Sequence, residues 1–141
     1  MEDAIGPNAC YCFTSRKSSR WITRLYDAAL VPSGLTISQY SILTVLEHHG
    51  RMKVSEMAGY MVMERTTLVR SLKPLIKDSI VLSSQQIGDR ARHFELSEFG
   101  KAKLKDASPL WLSAQRQFEK SVQRVRALEF RDYHLAIPDG G

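Results

Sequence analysis

The run Val54-Ser55-Glu56-Met57-Ala58-Gly59-Tyr60-Met61-Val62-Met63-Glu64-Arg65-Thr66-Thr67-Leu68-Val69-Arg70-Ser71-Leu72-Lys73-Pro74-Leu75-Ile76-Lys77 reads as two helices and the turn between them, over about 54–61 and 64–78. At 100° per residue, Leu68, Leu72, Leu75 and Ile76 gather on one side of the second helix, and Thr66, Thr67, Arg70, Lys73 and Lys77 on the other. No acid occurs between Arg65 and Lys77. A solvated helix face normally mixes both signs, so a one-sign face points to an anionic partner. Beyond 78 the period changes. Residues 80–86 are short and β-branched at their start, 87–91 are polar and turn-like, and 93–96 return as a strand with Phe94 and Leu96 on one face. Helix, tight turn, helix and hairpin, in that order, make a winged helix-turn-helix, whose second helix enters the major groove.

The side chains fit that task. Thr66 and Thr67 are short enough to approach base edges or phosphates. Arg70 can take a guanine edge bidentately or a phosphate, while Lys73 and Lys77, further from the helix start, suit backbone phosphate. Arg90 sits at the tip of Ile87-Gly88-Asp89-Arg90-Ala91-Arg92, a narrow loop of the right shape to enter a minor groove, whose negative potential attracts arginine. Asp89 is expected to orient Arg90 or Arg92 by a salt bridge. The competing reading of the basic face is a solvated surface without a ligand. Two basic elements on one apolar unit weigh against it.

Outward from this unit the chain is helical. On the N-terminal side a helix starts near Ser38, buries Ile42, Leu43, Val45 and Leu46 and stops at Gly50. Before it, Ile22, Leu25, Tyr26 and Ala29 form one face of a helix over 8–30, ended by Pro32-Ser33-Gly34. On the C-terminal side Ser97 precedes a long helix, broken or kinked near Pro109, with a weak break around 122–126 and a last helix ending before Pro138. Leu104, Trp111, Phe118 and Val125 recur every seven residues, with Ala107, Ala114, Ser121 and Leu128 on companion positions. Such a stripe serves packing within one chain or across a dimer. The expected fold is mainly α with a small β-hairpin wing: one domain over 1–141, with a winged-helix core at 36–96 and dimerisation helices at 8–30 and 98–137.

Bulk properties narrow the class. A chain of 141 residues that is 43% hydrophobic can build a core, and its net charge of +5 leaves nucleic acid, an acidic protein or a membrane surface open as partners. No run of about 18 apolar residues exists, so nothing spans a membrane. Residues 1–8 carry two acids and no basic segment ahead of an apolar one, which argues against a secretory leader. The only cysteines, Cys10 and Cys12, are no disulfide framework, which fits a cytoplasmic protein. His48, His49, His93 and His134 show no metal spacing, and no phosphate loop or nucleophile motif appears, so neither an enzyme nor a cofactor is expected. Met57, Met61 and Met63 read as packing residues.

The segments at 54–58 and 64–75 resemble the DNA-binding core of the MarR family (multiple antibiotic resistance regulators), Gly88-Asp89-Arg90-Ala91-Arg92 resembles that family's wing, and Leu96-Ser97-Glu98-Phe99-Gly100 resembles its step from wing to long helix. The resemblance implies a homodimer on a pseudo-palindromic DNA site, with repression relieved by a small ligand or by thiol oxidation. It places DNA contacts on Ser55, Arg65, Thr66, Thr67, Arg70, Lys73, Arg90 and Arg92. There are departures. Val62 stands where the turn of the pair often has Gly, and as a β-branched residue it is ill suited to positive φ, so a local difference in the turn is expected. Ser79 replaces another frequent Gly, and Pro74 removes one backbone bond inside the recognition helix.

Two sensor readings follow. Cys10-Tyr11-Cys12-Phe13 lies near the start of the first helix, where the helix N-terminus favours a thiolate, and Cys12-Phe13 resembles the reactive-cysteine region of the family's hydroperoxide-sensing branch. Two residues apart on a helix point about 200° apart, which makes a bond between the pair awkward, and small buried hydrophobes are the alternative reading. For a non-covalent effector, the family's pocket between dimer helices and DNA-binding core points to Phe13, Trp21, Tyr26, Tyr40 and Trp111, with core packing the leading reading of each. A winged-helix module that binds protein rather than DNA is the remaining competitor, and it would lack the acid-free face and the arginine-bearing wing.

Overall fold

The computed structural model describes residues 5–137; residues 1–4, within the stretch read above for a leader, and Pro138 lie outside it. In chain order the elements are α1 (Tyr11–Leu30), α2 (Ile37–His49), β1 (Met52–Lys53), α3 (Val54–Met61), α4 (Arg65–Lys77), β2 (Val81–Ser84), β3 (His93–Leu96), α5 (Glu98–Val122) and α6 (Arg124–Leu135), with single 3-10 turns at Pro7–Ala9 and Val31–Ser33. The fold is thus mainly helical, with winged-helix order at its centre and long helices at both ends.

The wing has three strands, not the two expected. β1 joins it, and the antiparallel order is β1-β3-β2, with Met52 opposite Phe94 and Val81 opposite Leu96. Alternation along β3 sends Phe94 and Leu96 into the core and leaves His93 and Glu95 on the outer face. Below the sheet Leu30, Ile42, Leu43, Leu46, Met57, Leu68, Leu72, Leu75 and Val81 are fully buried, so α2, α3, α4 and the wing share one core with the end of α1.

Caps set most of the helix limits. α2 starts one residue earlier than Ser38. Thr36 is its N-cap, accepting the Gln39 N–H (3.2 Å) while Gln39 Oε1 accepts the Thr36 N–H (3.0 Å), a reciprocal capping box. Gly50 ends it at φ 75°, as glycine readily does. Ser97 caps α5 by accepting the Gly100 N–H at 2.9 Å. Its own N–H donates to Ile80 O (3.1 Å) and its hydroxyl to Ser79 O (2.6 Å), which ties the long helix to the entry of β2.

α5 runs through Pro109 as one continuous helix, so the expected break does not occur there. The break lies at Gln123, φ 73°, after which α6 turns back. That turn also divides the seven-residue stripe. Leu104, Ala107 and Ala114 are buried against α1 and α2, and Trp111 and Phe118 partly so, but Val125, past the break, is 68% exposed. Polar links join α1 and α5 to the core, two of them at the corner before α2. Asp27 Oδ1 accepts the Ile37 N–H at the start of α2 (2.7 Å), and Lys103 Nζ donates to Ser33 O (2.8 Å).

Candidate nucleic-acid interface

The turn between α3 and α4 closes on a left-handed residue. Val62 adopts φ 52°, ψ 53°, so the expected local difference does not arise; valine takes the conformation that glycine would. The strain, about 1–2 kcal/mol for an L-residue, is held by backbone bonds from Val62 N to Gly59 O (3.3 Å) and from Met63 N to Ala58 O (2.9 Å). Ser79 does the same after α4, at φ 59°. Both turns keep their geometry without glycine.

α4 buries Leu68, Leu72 and Leu75 and leaves Arg65, Thr66, Thr67, Arg70, Lys73 and Lys77 exposed. The ion pairs among the described residues are His93–Asp89, Lys101–Glu98 and Arg131–Asp132, so no cation of α4 is neutralised. Glu64 occupies the N-cap without a side-chain bond, which leaves first-turn N–H groups free to meet a phosphate. Ser55 is exposed in the first turn of α3.

The wing loop is organised by polar side chains rather than packing. Asp89 N donates to Gln86 O (3.0 Å) across a turn with Gly88 at φ 86°. Gln85 Nε2 donates to Asp89 O (3.0 Å) and Arg90 O (3.2 Å), fixing the backbone that carries the exposed Arg90. Asp89 does not pair with Arg90 or Arg92, contrary to expectation. Its Oδ1 accepts the Ala91 N–H (2.9 Å) and its Oδ2 lies 3.8 Å from His93 Nε2. The Ala91 N–H is the main cause that holds its carboxyl below the ordinary value, helped by the charges of Lys53, His93 and Arg51. Short polar side chains bond their own backbone two residues on, and that local bond competes successfully with a flexible arginine.

Arg92 Nη1 donates to Ser83 Oγ (3.1 Å), which brings it to the side of the wing that faces α4. There Lys73 and Arg92 flank one groove of about 270 Å³, floored by Val69, Leu72, Ile76 and Phe94. The helix and the wing therefore place positive charge on a common surface. Arg51, which the sequence reading left out, reaches the same sheet and donates to Ser84 Oγ (2.9 Å).

The sensor candidates lie elsewhere. Cys10 is the N-cap of α1 in an extended conformation (φ −82°, ψ 117°), its Sγ accepting the Phe13 N–H at 3.3 Å. The two cysteines are therefore not a helical i, i+2 pair, and the 200° objection does not apply to them. Both are free and exposed. A separate cleft of about 700 Å³ opens between α1, α5 and α6. Of the five aromatic candidates only Tyr26 lines it. Its hydroxyl donates to Gln115 Oε1, and burial, then the Glu119 charge, push its pKa up. Trp21 packs on Phe118, which does line the cleft (6.1 Å between centroids), while Tyr40 and Trp111 stack on each other at 6.0 Å beside the core, and Phe13 is exposed on the first turn of α1. Phe130 and Leu135, absent from the sequence candidates, complete the apolar wall; the only signal for them was the apolar spacing of the last helix. Among the described residues, no group of three or more His, Cys, Asp or Glu side chains is placed to hold a metal ion, and no single helix is long and apolar enough to cross a membrane.

The MarR family profile matches residues 35–92. Among solved structures, the M. tuberculosis transcriptional regulator MosR, crystallised in complex with DNA, is 36% identical, with 90% of this chain and 96% of MosR covered and a TM-score of 0.76. CouR from Rhodococcus jostii RHA1, bound to p-coumaroyl-CoA, is 18% identical, with 95% of both chains covered and a TM-score of 0.79. Wild-type MarR from E. coli is 18% identical over 92% of this chain and 98% of that one, at a TM-score of 0.74. The last two show the shared fold alone. No curated protein matches the chain in sequence.

Proposed function

The chain belongs to the MarR family of DNA-binding transcription regulators, and on that premise we propose that it is a sequence-specific repressor that grips duplex DNA as a homodimer and is released by a small effector. The observation that carries this reading is the surface shared by the acid-free face of α4 and the arginine-bearing wing, none of whose α4 cations is paired among the described residues. In the proposed complex Thr66, Thr67 and Arg70 enter the major groove, Lys73, Arg65 and Ser55 hold phosphates, and Arg90 and Arg92 approach the minor groove.

A dimer is the natural completion. Val125, Tyr133 and Leu135 of α6, with Ile137 just beyond it, are exposed, as are Tyr11, Phe13 and Trp21 of α1, so the terminal helices carry the apolar surface that a second copy would cover. Two-fold symmetry then sets two α4 helices about one DNA turn apart. The cleft lined by Tyr26, Phe118 and Phe130 lies among those same helices, where an effector could bias the spacing of the pair; CouR's complex with an acyl-CoA supports an effector mechanism by analogy.

A random duplex library, selected by binding and sequenced with and without a mild organic hydroperoxide, tests the reading. An inverted repeat is the expected product. Weak binding that recovers no motif and falls steeply with salt would remove the specific operator, and absence of binding at low salt would favour a protein partner.

A second reading of the release step has its own observation: Cys10 Sγ caps α1 and both thiols are exposed, so a hydroperoxide that joins Cys10 to Cys12 as a disulfide, itself reduced to alcohol and water, would remove a helix cap in a terminal arm. Cys12→Ser is then expected to abolish hydroperoxide-driven release. Release that persists in this variant and in the double cysteine variant would end the thiol mechanism.

A further inference from the structure

His93 opens β3 at the root of the wing, opposite Lys53 of β1 and Ser84 of β2. Its side chain is 15% exposed, and Nδ1 is buried without a hydrogen-bond partner. Nε2 lies 3.8 Å from Asp89 Oδ2, beyond hydrogen-bond length, so a neutral ring contributes little there while an imidazolium forms an ion pair. Asp89 in turn fixes the loop backbone through the Ala91 N–H, next to Arg90.

We propose that His93 is a positioning residue for the wing: through Asp89 it holds the loop that presents Arg90, and its protonation couples DNA affinity to pH, with tighter binding at lower pH. This rests on the DNA-binding reading above.

The surrounding charges give the sign. Asp89 favours the imidazolium. Lys53, its neighbour across the sheet, and Arg51, bonded to Ser84, oppose it, as does the absence of a partner for Nδ1–H. Glu95 shares the outer face of β3, Arg92 leaves toward Ser83, Glu56 beside β1 accepts the Lys53 N–H, and α2, packed on β3, ends in Glu47, His48 and His49. The free protein therefore balances attraction against repulsion. DNA phosphates arriving at the wing tip that balance toward the charged ring, so binding takes up a proton, and by linkage affinity rises as pH is lowered from 8 to 6. Asp89, held low by the Ala91 N–H, stays ionised throughout that range.

The test compares the wild-type chain with His93→Gln, which keeps a donor at the ring's reach but never gains charge. Affinity for a library-selected duplex is measured at pH 6 and pH 8 at fixed ionic strength. The expected result is about fivefold tighter wild-type binding at pH 6 and a ratio near one in the variant. A flat wild-type profile, or an equal pH dependence in His93→Gln, overturns the proposal. A second readout needs no variant: by NMR the His93 ring should titrate at higher pH with duplex bound than without, and an unchanged midpoint also overturns it. In the free protein the Ala91 amide shift should follow the His93 titration; an Ala91 shift indifferent to it breaks the link through Asp89. Failure to bind any duplex at either pH would instead sink the DNA-binding reading, and this inference with it.

Discussion

Replacing Gly100 by alanine is expected to destabilise the protein far more than a change in a helix's first turn normally does. A Cβ at this position would overlap Ile80 O and lie 3.1 Å from the Ile80 carbonyl carbon and 3.3 Å from its Cγ2. The obstacle is backbone, and that backbone is not free to move. Ile80 O accepts the Ser97 N–H, while Ser97 Oγ donates to the adjacent Ser79 O and caps the Gly100 N–H, so displacing the carbonyl disrupts the junction of β2, β3 and α5 together. Overpacking of this kind costs about 1–3 kcal/mol. Loss of two bonds adds about 1 kcal/mol each, and the helix preference of alanine over glycine returns up to about 1 kcal/mol. The net expectation is a loss of about 2–4 kcal/mol, read as a lower urea midpoint at unchanged m-value and fixed protein concentration. Gly100→Ala as stable as the wild type, or more stable, would refute the close approach of α5 to Ile80, because only the helix-propensity gain would then remain.

Other substitutions separate recognition from stability. Arg70→Ala should weaken binding to the selected duplex by about 1–3 kcal/mol in a titration, with relaxed preference at one base position; unchanged affinity would remove Arg70 from the site. Arg90→Ala should lower affinity while leaving the thermal midpoint in place, since its side chain is exposed and makes no bond in the wing; a large drop in midpoint would make it structural instead. Val62→Gly should raise stability by about 0.5–1 kcal/mol in urea denaturation, as relief of left-handed strain exceeds the entropy cost of glycine; a destabilised variant would mean that the valine side chain packs favourably enough to offset its strain.

The helices of the central unit were legible because each was announced by two concordant signals, apolar period and a one-sign polar face, as α4 shows with Leu68, Leu72 and Leu75 against Thr66, Arg70 and Lys73. What escaped was decided by bonds that leave no periodic trace. β1 has only two residues, too few for alternation, and exists because β3 offers a free edge to Met52 and Lys53. Ser38 and Thr36 are equally good caps by type, and only the reciprocal bond to Gln39 separates them. The expectation at Val62 relied on local preference, which tertiary and turn bonds override at a cost of a kcal/mol or two. Asp89 was assigned to an arginine by charge, yet a backbone N–H two residues away was nearer. The stripe at 104–125 kept its period in sequence beyond the point where Gln123 turned the chain.

The two polar links at the corner before α2 have a mechanical consequence. Asp27 fastens α1 to the first residue of α2, and Lys103 fastens α5 to the carbonyl of Ser33 just ahead of it. The arms and the reading head thus meet at two bolts on the same short corner. A tilt of the arms, whatever produces it, arrives at α2 as a turn of the whole head, and the long α5 gives the movement leverage. Cutting one bolt, as in Asp27→Ala or Lys103→Met, would loosen that transmission while leaving every side chain on the reading surface in place.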